Sequence, residues 1–229
     1  MKEKLTEHLS QFISDRRLHL FDTLLNLRTR YLTVVLEDIF QAHNASAVLR
    51  SCECFGVQDV HIIENYNEYR ISPDVALGAN KWLSLFHYNR QQQNTSQTLE
   101  SLKNQGYRII ATTPHKNDRN LEEFDIKKGK FALVFGAELK GLSPISLDMA
   151  DEFVKIPMVG FTESLNVSVT AALCIHHLTS KLRNDPDIQW RLTKDEKLEI
   201  KLNWLRNSIK KSALIEKEFL DQENRMNKS

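Results

Sequence analysis

Three segments of this chain hold more asparagine, glycine and carboxylate than a packed core needs, and each follows an apolar run. The first is His43-Asn44-Ala45-Ser46-Ala47-Val48-Leu49-Arg50. Asn44 is a natural N-cap for a following helix, and Arg50 supplies an always-charged planar fork suited to phosphate. At 3.6 residues per turn the two are about 600° apart, so they lie on different helix faces and act together only through the reach of Arg50 or a bend. The second is Leu133-Val134-Phe135-Gly136-Ala137-Glu138-Leu139-Lys140-Gly141-Leu142-Ser143. It has the G-x₄-G spacing of a phosphate-binding loop, but Leu142 stands where the phosphate lysine belongs, which argues against nucleotide hydrolysis. Its glycines allow a ligand close to the backbone, and Glu138 is an acceptor for ligand or loop donors. The third runs from Ile156 to Ala172, an apolar loop entering a helix that begins with small residues, with Ser164 or Asn166 available as cap. Singly, these features also describe a cap, a tight turn and a solvated charge.

The elements that must position these residues are legible from periodicity. Leu32–Glu37, Val60–Ile63, Leu83–Tyr88, Tyr107–Thr112, Phe131–Phe135 and Phe153–Ile156 read as strands. Ala45–Phe55, Thr95–Asn104, Ser143–Met149 and Val167–Leu182 read as helices, the last with Leu173, Ile175, His176 and Leu178 facing inward. Strands alternating with helices predict an α/β fold, a parallel sheet with helices on both faces. Before it, Glu3 to Arg30 reads as two short amphipathic helices broken near Ser14-Asp15, with Asp15 capping the second. After it, Asn184-Asp185-Pro186-Asp187 marks a boundary to a charged helical extension whose last residues, Gln222 to Ser229, look frayed.

The 229 residues, 41% of them hydrophobic, suffice for one main core with helical appendages. A net charge of +1 means that any nucleic-acid surface is local. Arg16, Arg17, Arg28 and Arg30 on the second N-terminal helix and Lys194 and Lys201 on the C-terminal extension describe a solvated helix face by themselves, and become candidate phosphate contacts in the context of the three motifs. Cys52, Cys54 and Cys174 form neither a disulfide framework nor a zinc ribbon. Adjacent His176 and His177 diverge on a helix, so no metal site is expected. No apolar run approaches the roughly 20 residues of a membrane span, and a cytoplasmic protein without membrane partners is the expectation.

Together, in this order and spacing, N-A-S-A-V-L-R, F-G-A-E-L-K-G-L-S and I-P-M-V-G-F-T-E-S-L-N-V-S-V resemble the three motifs of the SpoU/TrmH family of RNA ribose methyltransferases, within the SPOUT superfamily. The resemblance covers Leu32 to Lys181, and Gly78-Ala79-Asn80-Lys81-Trp82 looks like the family's substrate-side loop; Ser46 stands where many relatives carry glycine. It implies a sheet domain over residues 31–183 with a C-terminal deep trefoil knot, in which the segment after Ile156 threads an earlier loop. Residues 1–30 would be an N-terminal RNA-binding extension and 184–229 a C-terminal helical one.

The resemblance further implies S-adenosylmethionine as cofactor, held at Thr112, Thr113, Gly136, Ile156 and Leu165. Catalysis falls on Arg50, with Asn44, Glu138, Ser164 and Asn166 in support. Arg50 is often assigned as general base in this family, yet a guanidinium hardly ever gives up its proton, and a clamp on the phosphate beside the target ribose suits it better. The helical flanks are similar to the tRNA-specific branch, which methylates the guanosine at position 18. Ribosomal RNA is the alternative substrate, and a noncatalytic RNA-binding protein of the same fold the alternative class. A homodimer is implied, with Trp82 and the helix after Asn166 at its interface.

Overall fold

A computed structural model describes residues 1–114, 118–138 and 140–226. Seven parallel strands form one sheet: β1 (Leu32–Glu37), β2 (Asp59–Ile63), β3 (Ser84–Tyr88), β4 (Arg108–Thr112), β5 (Arg119–Asn120), β6 (Phe131–Phe135) and β7 (Glu152–Lys155), in the order β3-β2-β1-β6-β4-β7-β5. Every residue of β1, β2 and β6 is buried, as expected of central strands covered on both faces. The period-two alternation of β1 decides which helix meets which side chain. Leu32, Val34 and Leu36 pack with Val48 and Cys52 of α3 (Ala42–Phe55) and with Ile175 and Leu178 of α7 (Val167–Asn184). Val35 packs on the other face, with Leu99 and Leu102 of α5 (Thr95–Asn104) and beside α6 (Pro144–Met149). A one-turn α4 (Pro73–Ala76) lies between β2 and β3.

The helices at the two ends of the chain form a compact unit of their own. It holds α1 (Lys2–Ser10), α2 (Asp15–Leu25), α8 (Lys194–Ser208) and α9 (Ser212–Met226), while the sheet unit runs from Thr29 to Trp190. The division falls at Arg28/Thr29 and Trp190/Arg191, rather than after residues 30 and 183, because those segments are tied into the sheet unit. Thr29 exchanges backbone hydrogen bonds with Gly56 and Gln58, and its hydroxyl donates to the Trp190 carbonyl at 2.6 Å. Inside the helical unit, buried Trp204 meets Phe21 edge to face, and Thr193 and Glu196 form a reciprocal cap at the start of α8. No described helix is long and apolar enough to cross a membrane.

Several local expectations change. Ser14, not Asp15, caps α2, its hydroxyl accepting from the Arg17 amide. The C-terminal extension is two helices, because Ile209 to Lys211 breaks the run, and it stays helical to Met226. On α7, Ile175 and Leu178 do face inward, but Leu173 and His176 are exposed. The two-residue β5 carries no periodicity from which it could be read.

Within β2, His61 is buried against Phe86, with Nδ1 2.9 Å from the Tyr88 hydroxyl. Burial pushes its imidazole down from 6.5 to about 4. The folded chain holds this ring neutral while the unfolded chain takes up a proton near pH 6.5. The corresponding stability is therefore complete above pH 6.5 and is lost as pH falls toward 4, by at most about 3 kcal/mol. Urea unfolding across that window should show the decline, and His61→Phe should flatten it.

Candidate active site

The three loops singled out from the sequence meet at the C-terminal edge of the sheet, where β1, β6 and β7 end. Asn44 is only 2% exposed, and its Nδ2 donates to Glu138 Oε1 at 2.8 Å and to Gln41 Oε1 at 3.2 Å. Its Oδ1 accepts from Asn166 Nδ2 at 3.1 Å. Asn166 in turn caps α7, its Oδ1 accepting from the Ser168 amide at 2.8 Å and the Ser168 hydroxyl at 2.6 Å. One hydrogen-bonded line therefore runs from the third motif through the first to the second. Each amide donates at one end and accepts at the other, so its orientation is set by its neighbours.

Asn44 is not a helix cap. Gln41 holds the cap position and α3 starts at Ala42, which leaves the Asn44 side chain to reach across the loop. Glu138 accepts from the loop rather than standing open, taking the Phe40 and Gln41 amides at 3.3 Å each besides Asn44. Gly136 also serves the fold differently from the expectation. A Cβ there would strike the backbone of Gly141 and Leu142, so the glycine admits the chain's own loop, which closes with Gly141 N donating to Ala137 O at 2.8 Å. Gly141 has φ +67°, a left-handed conformation that glycine adopts without strain. Serine 143 completes the loop: its amide and hydroxyl donate to the buried Glu37 at 2.9 and 2.7 Å, and its oxygen caps α6.

Beside this line lies a cavity of about 530 Å³. Thr112, Thr113, Gly136, Ile156 and Leu165, the positions expected to hold a cofactor, all border it, and so do Glu138, Ser164 and Asn166. Leu142, Glu163 and Thr170 also line it, although they were not singled out from the sequence. Leu142 sits inside a quoted motif, but its role was read only as a missing lysine. The Thr112 hydroxyl is already committed to the Val134 carbonyl at 2.8 Å. Ser164 is exposed and forms no hydrogen bond among the described residues. Arg50 is exposed on α3, borders no part of the cavity, and its side chain makes no hydrogen bond or ion pair among the described residues. The structure thus joins Asn44, Glu138 and Asn166, places Ser164 at the cavity wall and leaves Arg50 outside.

The basic residues divide similarly. Arg16, Arg17 and Lys194 are exposed on the helical unit. Arg28 is corrected as a surface contact, being 2% exposed with its guanidinium 5.4 Å from the Trp204 ring centroid. Arg30 is corrected likewise: it pairs with Asp59 at 2.9 Å, with its side chain 14% exposed. Both follow the end of α2 at Leu25 instead of lying on its face. Lys201 is engaged by Asp22 at 2.6 Å.

The SpoU rRNA Methylase family matches the chain over residues 31–176. The chain is 43% identical over 208 residues to the tRNA (guanosine(18)-2′-O)-methyltransferase of Borreliella burgdorferi, covering 91% of this chain and 93% of that protein. To the tRNA (guanosine(18)-2′-O)-methyltransferase of Thermus thermophilus it is 31% identical over 191 residues, 80% of this chain and 96% of the relative. The solved structure of the A. aeolicus TrmH/SpoU tRNA modifying enzyme is similar with a TM-score of 0.73 at 29% identity, covering 86% of this chain and 98% of that one.

Two outcomes follow from the cavity walls. Gly136→Ala should destabilise the fold by about 1–3 kcal/mol, since the added methyl meets backbone that has nowhere to move, and a urea titration measures this. Cys174 borders the cavity, and burial pushes its thiol up to about 12, whereas Cys54 is exposed and Cys52 buried. At pH 8 a thiol reagent should modify Cys54 in the folded protein and reach Cys52 and Cys174 only after denaturation.

Proposed function

This chain belongs to the SpoU rRNA methylase family, and on that footing we propose that it is an S-adenosylmethionine-dependent, cytoplasmic tRNA (guanosine-18-2′-O)-methyltransferase. The observation that carries this reading is the convergence of the second and third motifs on one cavity, with the first motif tied to both through Asn44, which bonds Glu138 and Asn166. The 43% identity over most of the chain supports tRNA as substrate rather than ribosomal RNA.

The residues present fit the cofactor. A volume of about 530 Å³ lies within the roughly 300–1,000 Å³ usual for small-molecule sites. Ile156, Leu165 and Leu142 offer apolar walls for a purine and ribose, and Glu138 and Glu163 place carboxylates at the wall of a site whose ligand is cationic. When bound, S-adenosylmethionine supplies an activated methyl group for transfer to a hydroxyl oxygen. The protein's task is then mainly orientation, because a ribose hydroxyl is a poor nucleophile and must be held in line. The Asn166–Asn44–Glu138 line fixes the loops that form the cavity wall, with Ser164 beside it. Arg50 is assigned to the substrate: its guanidinium clamps the phosphate next to the target ribose and stabilises negative charge developing on the hydroxyl oxygen. An exposed side chain engaged with no described neighbour suits a partner that arrives with the RNA.

The reading includes a trefoil knot formed by the segment after Ile156, and a dimer that brings two such segments together. Exposed Phe161, Val169 and Leu173 support an interface on α7 and the loop before it, and Trp82 is the second candidate element of that interface. Arg16, Arg17 and Lys194 would contact phosphates, with affinity falling steeply as salt rises.

Transfer of a labelled methyl group to total tRNA and to ribosomal RNA, followed by mapping of the modified ribose, tests the assignment. Label is expected at guanosine 18 of tRNA, and label in ribosomal RNA alone would displace this substrate. Arg50→Ala should lower kcat/KM by roughly 10²-fold or more. Full activity of a monomer at high dilution would remove the dimer.

A further inference from the structure

Two exposed aromatic rings stand on the loops that leave the neighbouring strands β1 and β2. Phe40 is 73% exposed and Tyr66 is 82% exposed. Because β1 and β2 pair in parallel, both loops emerge at the edge of the sheet that carries Asn44 and Glu138. The backbones beneath the rings are tightly held. Asp38 Oδ1 accepts from the amides of Asn65 at 2.7 Å, Tyr66 at 2.8 Å and Asn67 at 3.3 Å, and Asn67 Nδ2 returns a hydrogen bond to the Asp38 carbonyl at 2.8 Å. Asp38 adopts φ +52° to do so, a left-handed conformation that few residues other than glycine, asparagine and aspartate tolerate. Phe40, two residues on, donates its amide to Glu138 Oε2 at 3.3 Å. Each aromatic residue is thus anchored by a carboxylate through its backbone while its ring is left in water, and the Glu138 carboxylate that holds Phe40 also holds Asn44.

We infer that Phe40 and Tyr66 form a stacking platform for an unpaired nucleobase of the RNA substrate, next to the ribose presented to the site. This rests on the RNA methylation reading. Sequence-tolerant recognition of single-stranded RNA relies on aromatic faces that stack on splayed-out bases, and rigid mounting lowers the ordering cost of such contacts. The surroundings suit a base rather than a second copy of the chain. Gln41 and His43 are exposed polar neighbours in the same loop and first helical turn, and Arg50 follows on α3 as a cation for the adjoining phosphate. The extended apolar surface is elsewhere, on Val159, Phe161, Val169 and Leu173. The platform supplies what Arg50 alone does not: a clamp that sets the rotation of the nucleotide once its phosphate is held.

The test uses the full chain with Phe40→Leu and Tyr66→Leu combined, which keeps apolar bulk and removes the flat faces, and the conservative Phe40→Trp and Tyr66→Trp. The double leucine variant should raise KM for the methyl-accepting RNA about tenfold or more, with the Kd for S-adenosylmethionine held within about twofold and Tm unchanged, and the tryptophan variants should restore the KM. An unchanged KM in the double leucine variant overturns the platform. So does a variant whose KM defect accompanies loss of self-association in sedimentation, which would make these rings a protein interface. A wild-type chain that methylates no RNA removes the platform together with the reading it rests on, whereas active wild type with an indifferent variant removes the platform alone.

Discussion

The hydrogen-bonded line Asn166–Asn44–Glu138 is the constraint on which the site depends. It joins residues 94 and 122 positions apart in sequence and has only one sense, since a carboxylate can only accept and must end the line. Chains of this kind polarise one another in a partly buried setting, so each bond strengthens the next. The same property makes the line vulnerable. Removing Asn44 would leave a carboxylate and an amide without their shared partner, a larger loss than the bonds counted singly.

What allows the line to form is the parallel sheet. Every strand presents its C-terminal end at the same edge, so loops from distant parts of the chain arrive together. β1 is the reference strand, buried at all six positions, and its last residue, Glu37, binds Ser143 at the far end of the β6 loop. Thr95 at the start of α5 donates to the same carboxylate at 2.7 Å. The β6 loop is therefore held at Glu138 by the first motif, at Ser143 by β1, and across its neck by the contact that requires glycine at 136. Rigid walls of this kind lower the cost of ordering a ligand against them.

The charge pattern carries a related lesson. Several of the cations are paired locally: Arg30 with Asp59, Lys201 with Asp22, Arg206 with Glu216. Arg28 is withdrawn over Trp204. The cations left exposed from those marked in the sequence are Arg16, Arg17, Lys194 and Arg50, a smaller set than the basic residues suggested.

The amino-acid sequence by itself determined the class of fold, most element boundaries and the three segments that build the site. Those properties are set by local period, by capping and turn chemistry, and by the order of motifs, all of which act over a few residues. It also marked Asn44, Glu138 and Asn166, through motif resemblance rather than through geometry. Only the tertiary structure decided what these residues do to one another. Asn44 looked like a cap because caps and cross-loop donors use the same side chain, and the start of α3 at Ala42 settles which it is. Gly136 looked like room for a ligand because a missing Cβ does not say what approaches it, and here it is Gly141. Arg28 and Lys201 looked alike as surface charges until folding supplied an aromatic face to one and an acid to the other. The physical reason is common to all of them: a side chain's chemistry is local, but its partner comes from a strand or helix that the chain reaches only after folding.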